Sequence, residues 1–290
     1  LIPDARKSLP VLRQEWENCT CCNLGEIRKQ TGGAFVFGEG TPGTIMFIGE
    51  GPGVDENEQG RPFIGKSGRF LRDILAKIGI EHFYITNTVC CRSFVFEYDT
   101  EGQQKFVTRH GVSVPVEKDE APGAAQRQAC LSRLQQEIYI VDPILIVTLG
   151  GTAAETLLER KVVVTQESGD LKADTATTLG TVLRLPGAGH EAVLTPKGAW
   201  RHKVRGNYVM PTRQSTVVYP VIPLLHPAYV MRCLSDRSIG SPRDMFANGL
   251  KRVLRYYNEY MKIAFGESHS SDTATTDSMD LYVNEAEYDL

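Results

Sequence analysis

The sequence has no uninterrupted apolar run long enough to cross a bilayer, and it contains no internal repeat. Its first residues, LIPDARKSLP, lack the apolar stretch and small-residue cleavage pattern of a secretory leader. The expectation is a monomeric cytoplasmic or nucleoid protein with no membrane partner. Cysteines are few, and their number, 7, is odd. They cluster as Cys19, Cys21 and Cys22, then Cys90 and Cys91, with Cys130 and Cys233 apart. That pattern excludes an ordinary secreted disulfide framework and points to metal ligation or redox chemistry. Basic residues are missing altogether from residues 266–290, which hold seven acids, so a net charge of −3 becomes +4 over residues 1–265. A mildly basic body with an acidic, Ser/Thr-rich tail suits a nucleic-acid binder with a disordered appendage, which could engage a protein partner.

What is present is an ordinary globular composition, 41% hydrophobic and 23% charged. TIMFIGEGPG (44–53) is a short apolar strand ending in a Gly/Pro turn, followed by an acidic loop, VDENEQG. KSGRFLRDILAKIGI (66–80) places Phe70, Leu71, Ile74, Leu75 and Ile78 at helical spacing. HFYITNTV is a second strand. CLSRLQQEIYIVDPILIVTLGGTAAETLL (130–158) reads as helix, buried strand, Gly-Gly turn and helix. STVVYPVIPLLHPAYVMR (215–232) is a further strand entering a turn, and a basic amphipathic helix begins at Pro242. Strands alternating with helices predict an α/β class fold, a three-layer α/β/α sandwich on a central, mainly parallel four-stranded sheet. Residues 93–118 and about 166–202 are polar, Gly-rich and weakly periodic, and are expected to be loop or hairpin insertions into one domain spanning 1–265.

GRPFIGKSG (60–68) fits the phosphate-loop pattern G-x-x-x-x-G-K-[ST] letter for letter. Its surroundings do not. A phosphate loop needs a buried strand directly before its first glycine, and here VDENEQ stands there. Pro62 removes a backbone N–H that such a loop aims at phosphate, and Phe63 puts a ring inside it. A nucleotide triphosphatase is excluded on those grounds.

The larger unit IGEGPGVDENEQGRPFIGKSGRFL closely resembles the first motif of the family 4 uracil-DNA glycosylases, G-E-x-P-G, then acids, then G-R-P-F-x-G-x-x-G. ITN ending at Asn87 resembles that family's base-reading strand, and HPAY (226–229) its second motif. KVRG (203–206) and GSP (240–242) also fall in order, so the resemblance covers most of residues 17–260 apart from the insertions. It implies excision of uracil from DNA by hydrolysis of the N-glycosidic bond, leaving an abasic site. The alternative is a non-hydrolytic or covalently trapping uracil-DNA-binding protein of the same superfamily.

On that resemblance, Phe63 stacks on the flipped base and Asn87 reads uracil O4 and N3–H, a pattern that cytosine reverses. His226 donates to O2 as charge develops. Glu50 orients water or balances the cationic sugar. The backbone of Gly51 and Gly53 borders the base, and Glu56 lies against uracil C5, where it helps to exclude the thymine methyl. Lys66, Ser67 and Ser241 are expected at DNA phosphates, Val230 and Met231 as a wedge, and Arg232 on the backbone. Four soft thiolates suit zinc or an iron–sulfur cluster equally on physical grounds. The resemblance implies a [4Fe–4S] cluster on Cys19, Cys22, Cys91 and Cys130. Here the sequence departs from the family: Cys91 and Cys130 flank the first insertion, and Arg92 is followed by Ser-Phe where Pro-Pro is common. That insertion also holds TRHG, with His110. The uracil-crosslinking branch of the superfamily places a reactive histidine after a basic run in this region, and only Arg109 of such a run is present.

Overall fold

The computed structural model describes residues 8–109, 111–167, 182–185 and 217–265. His110, residues 203–206, the acidic tail and most of the second insertion lie outside these.

Four parallel strands form the middle of the sheet: β2 (Ile45–Gly49), β3 (Phe83–Asn87), β8 (Leu145–Leu149) and β10 (Val217–Leu224). The predicted parallel core of four is therefore present, in the order β3-β2-β8-β10. Two short antiparallel strands extend it to six: β1 (Glu39–Gly40) beside β3, and β9 (Val182–Leu185), from the second insertion, beside β10.

Alternation along the strands feeds two cores. Ile45 and Phe47 of β2 and Leu145, Val147 and Leu149 of β8 face one side. Met46, Ile48 and Ile146 face the other. Both faces are covered, which is why these strands read as continuous apolar runs. The first side is covered by α4 (Lys66–Lys77) and the C-terminal helix (Pro242–Phe265), through Phe70, Leu71, Ile74, Phe246 and Leu250. The second is covered by α5 (Ala124–Val141), through Leu134, Ile138 and Val141. No helix among the described residues is long and apolar enough to cross a membrane.

VDENEQ, expected as a loop, is a helix, α3 (Val54–Gln59). Asp55 and Glu56 lie in its first turn, where acids favour the helix dipole, and Gly60 ends it at φ 71° in the left-handed region. Gly60 thus follows a helix, and Gly65 caps the next one. Neither belongs to a phosphate loop.

The first insertion is a small antiparallel arm. β4 (Phe94–Phe96) pairs with β7 (Glu117–Asp119), and β5 (Phe106–Arg109) pairs with β6 (Val112–Pro115). Arg92, at its root, is buried and bonds Glu117 and Asp119.

Candidate active site

The sheet order reverses between β2 and β8, and a cavity of about 650 Å³ opens at the carboxyl ends of the strands beside that switch point. The last residue of β2 is Gly49. A Cβ there would lie 2.4 Å from the Phe63 ring and 2.5 Å from Asn87 Oδ1. Only glycine lets these two side chains meet over the strand end.

Phe63 sits at φ 55°, a left-handed backbone that costs a non-glycine residue about 1–3 kcal/mol. Its surroundings hold it there. Arg72 Nε donates to the Phe63 carbonyl at 3.0 Å, and Arg72 Nη2 donates to the Pro62 carbonyl at 3.1 Å. Glu39 accepts from Arg72 and Arg61, both at 2.9 Å, so one carboxylate anchors the whole turn. Gly68 completes the fit, since a Cβ on it would fall 2.2 Å from the Phe63 carbonyl.

Asn87 closes β3 and is 2% exposed, yet its Oδ1 is buried with no partner. A buried acceptor without a donor costs about 1–3 kcal/mol, so the cavity holds an open demand for an N–H. Its backbone is fixed from beneath. Arg133 Nη2 donates to the carbonyls of Asn87 and Thr88 at 2.8 Å each. Arg133 also pairs with Glu137, which accepts from Tyr84 Oη at 2.7 Å.

His226 caps the helix α8 (Pro227–Arg232), where its Nδ1 accepts the Ala228 N–H at 3.2 Å. The ring proton is therefore on Nε2, free to donate. Burial, with help from Arg232, pushes His226 down to about 4, so the imidazole is neutral near pH 7. Gly150, at φ 93°, lets the β8 turn pass His226, since a Cβ would be 3.3 Å from the histidine Cβ.

Glu50, Gly51, Gly53, Glu56, Phe63 and Asn87 all line the cavity, together with Lys66, Ser67, His226, Met231 and Arg232. Several expected roles change on inspection. The Glu56 carboxylate accepts the N–H groups of Ile64 and Gly65 at 2.9 and 2.8 Å, and of Gly53 at 3.1 Å. It ties the loops together at the cavity wall, and the Gly53 N–H is spent on it. Val230 is fully buried in the main core, so it is no wedge. Met231 borders the cavity but is also largely buried. The exposed ring in this motif is Tyr229, 43% exposed, with the Arg232 guanidinium 5.8 Å from its centroid. Ser241 is largely buried, and its hydroxyl accepts the Asp244 N–H at 3.2 Å as a helix cap.

A family model described as the uracil DNA glycosylase superfamily matches residues 37–251. The chain belongs to the uracil DNA glycosylase superfamily. Among curated relatives, a "Type-4 uracil-DNA glycosylase" of Thermotoga maritima is 31% identical over 166 residues, 56% of this chain and 72% of the relative. One from Pyrobaculum aerophilum is 31% identical over 167 residues, 57% of this chain and 71% of the relative. A third, from Sulfurisphaera tokodaii, is 34% identical over 157 residues, 53% and 59% of the two chains.

Within this superfamily member six of the seven cysteines, all but Cys233, gather in one region. Cys91 and Cys130 are buried in one apolar cluster with Leu12, Leu24, Phe35, Phe37 and Val89, and Cys22 packs against it. Cys19 and Cys22 lie close enough to influence the ionisation of Cys130. Burial pushes the Cys91 thiol up to about 12, with the nearby Arg28 guanidinium pulling the other way. Arg28 Nε is buried without a partner. Among the described residues, no three His, Cys, Asp or Glu side chains close tightly enough to grip one metal ion. A four-iron cluster takes one thiolate per iron, so its cysteines stand wider than the ligands of a single ion. The donor chemistry here, soft thiols in an apolar wall with an unused donor beside them, fits such a group.

Ser93 and Asp119 to Pro122, at the two ends of the first insertion, also line the cavity, and no sequence motif pointed to them. Nor did any point to the Arg72–Glu39 and Arg133–Glu137 supports. Charged residues deep in a fold carry no local signal that separates them from surface charges.

Proposed function

We propose that this protein removes uracil from DNA by hydrolysing the N-glycosidic bond of an extruded deoxyuridine. The observation that carries this reading is the unpartnered Asn87 Oδ1, buried in the cavity beside the Phe63 ring. Uracil N3–H meets that acceptor, whereas cytosine N3 offers only a lone pair and would leave it unpaired. Phe63 supplies the flat face on which the base stacks. As the C1′–N1 bond breaks, its electron pair passes to uracil and negative charge grows on O2. The Nε2–H of neutral His226 meets that charge, a term worth about 3–4 kcal/mol for one donor in other enzymes. Water adds to C1′ on the opposite face, and the proton it releases is matched by the one that the departing uracil anion takes up from solvent. Glu50 orients it and balances the cationic sugar.

Lys66 and Ser67, at the start of α4, serve the phosphates of the target strand, and Arg232 lies at the same rim. Cys19, Cys22, Cys91 and Cys130 would hold a [4Fe–4S] cluster, whose contribution is to tie the N-terminal segment, the end of β3 and α5 together. Residues 1–265 act as one monomeric catalytic domain in the cytoplasm or nucleoid, with the tail as an appendage.

The test is a labelled oligonucleotide with a single uracil, incubated with anaerobically purified protein and resolved with and without alkali. Strand cleavage only after alkali is expected, and His226→Ala should abolish it. An intact strand retarded through denaturing electrophoresis would instead mean covalent trapping. An unchanged strand in both lanes would overturn the reading.

A further inference from the structure

The arm between Cys91 and Cys130 has two unlike faces. Side chains alternate along β4, so Phe94 and Phe96 point to one side, and Tyr98 continues the phase two residues beyond the strand. The rings of Phe94 and Phe96 are 5.5 Å apart, edge to face. Tyr98 pairs across with Gln104, so Phe106, two residues further on, falls on the same side. Tyr98 and Phe106 are each 57% exposed. Val95 and Val107, out of phase with these rings, are also exposed but carry no ring. Exposed rings grouped on one face, beside a cavity, mark a binding surface in a way that scattered apolar residues do not.

Its position names the ligand. Ser93, immediately before β4, and Asp119, at the end of β7, both line the cavity, so the aromatic row starts at the rim and leads outward. Alternate residues on a strand stand about 6.5–7 Å apart. That is roughly twice the 3.4 Å step of a stacked nucleic-acid strand, so the row suits bases already drawn out of their stack. The acids that share this face, Glu117 and Asp119, are both bonded to Arg92, and Arg92 itself lies 4.7 Å over the Phe94 ring. One guanidinium offsets one of the two carboxylates, so an approaching strand is held here by the rings and not by charge.

We propose that Phe96, Tyr98 and Phe106 form a stacking platform for the unpaired nucleotides that flank the target base on one side, which makes single-stranded DNA a preferred substrate form. This rests on the reading of the cavity as a uracil site. Flat rings that take any base face would bind without sequence preference.

The test uses the full-length holoprotein and a fluorescein-labelled, uracil-free single strand of twelve nucleotides, read by anisotropy. Loss of stacking on one ring costs at least about fivefold in affinity by analogy with other single-strand binders. The Phe96→Ser/Tyr98→Ser variant should therefore weaken single-strand binding by that factor or more, and leave duplex binding unchanged. Phe96→Leu/Tyr98→Leu, which keeps apolar surface but removes the rings, should lose affinity likewise. Single-strand affinity unchanged in both variants would overturn the platform, and so would an equal loss on duplex. Uracil release from a trinucleotide too short to reach the arm tests the cavity separately. Its absence in the wild type would sink the glycosylase reading, while the anisotropy result still decides the platform.

Discussion

Arg72 Nε donates to the carbonyl of Phe63 at 3.0 Å and so pins the one residue of the cavity that is held in a left-handed backbone. Arg72→Met removes this bond and the one to Pro62, leaving both carbonyls to find water and Glu39 to Arg61 alone. The expected outcome is a loss of about 1–3 kcal/mol in stability and a fall of roughly tenfold or more in excision efficiency. Urea unfolding midpoints and single-turnover excision measure the two effects. Excision unchanged at lowered stability would show that the turn holds Phe63 without help.

Asn87 behaves differently from an ordinary buried amide, because its Oδ1 has no donor. Asn87→Leu keeps the shape and removes the open acceptor, so stability should hold or rise. Excision should nevertheless fall at least about a hundredfold. A variant that is markedly less stable would mean that the amide was paired after all.

The Arg133–Glu137 pair gives a third test, since each partner alone would be a buried uncompensated charge. Arg133→Met should cost about 3–5 kcal/mol in stability. The double variant Arg133→Met/Glu137→Met should recover much of that, as apolar replacements of buried pairs often do. Excision should stay low in both, because neither restores the donors to the carbonyls of Asn87 and Thr88. Recovery of excision in the double variant would reduce Arg133 to a packing role.

His226 sets the acid limit. Its folded value, about 4, lies below the ordinary 6.5, so the neutral donor form persists well into acid. Excision in single turnovers should stay level between roughly pH 8 and pH 5, then fall as pH drops through about 4. The stability linkage has the same sign. As pH falls from 6.5 towards 4 the unfolded chain takes up a proton that the folded one does not, and stability declines. Histidine NMR across that range would expose a value near 6.5, which would contradict the buried neutral ring.

Much of this arrangement was legible in the sequence. The apolar runs at 44–49 and 144–149 gave parallel strands buried on both faces, and the G-E-x-P-G and H-P-A-Y stretches fell at the strand ends where a cavity belongs. Spacing could not say which atoms point where. Glu56 and Ser241 look like ligand contacts in a linear motif, and the packing adds that each also accepts backbone N–H groups, of Ile64 and Gly65 and of Asp244. Val230 and Tyr229 are neighbours in one short helix, and only the packing of that helix decides that the valine goes inward and the tyrosine outward. Arg133, four residues before its partner, resembles any exposed helical ion pair until α5 is laid against β3.

The alternation of β2 carries one last consequence. Ile45 and Phe47 serve one core, Met46 and Ile48 the other, and Gly49 follows directly beneath Phe63 and Asn87. A shift of one residue in this strand would exchange the two cores and would also bring a side chain under the ring and the amide. Deleting a residue from the turn at 41–44, where the loop passes the change on to the strand, would therefore disturb both cores and the meeting of Phe63 with Asn87 in the same stroke.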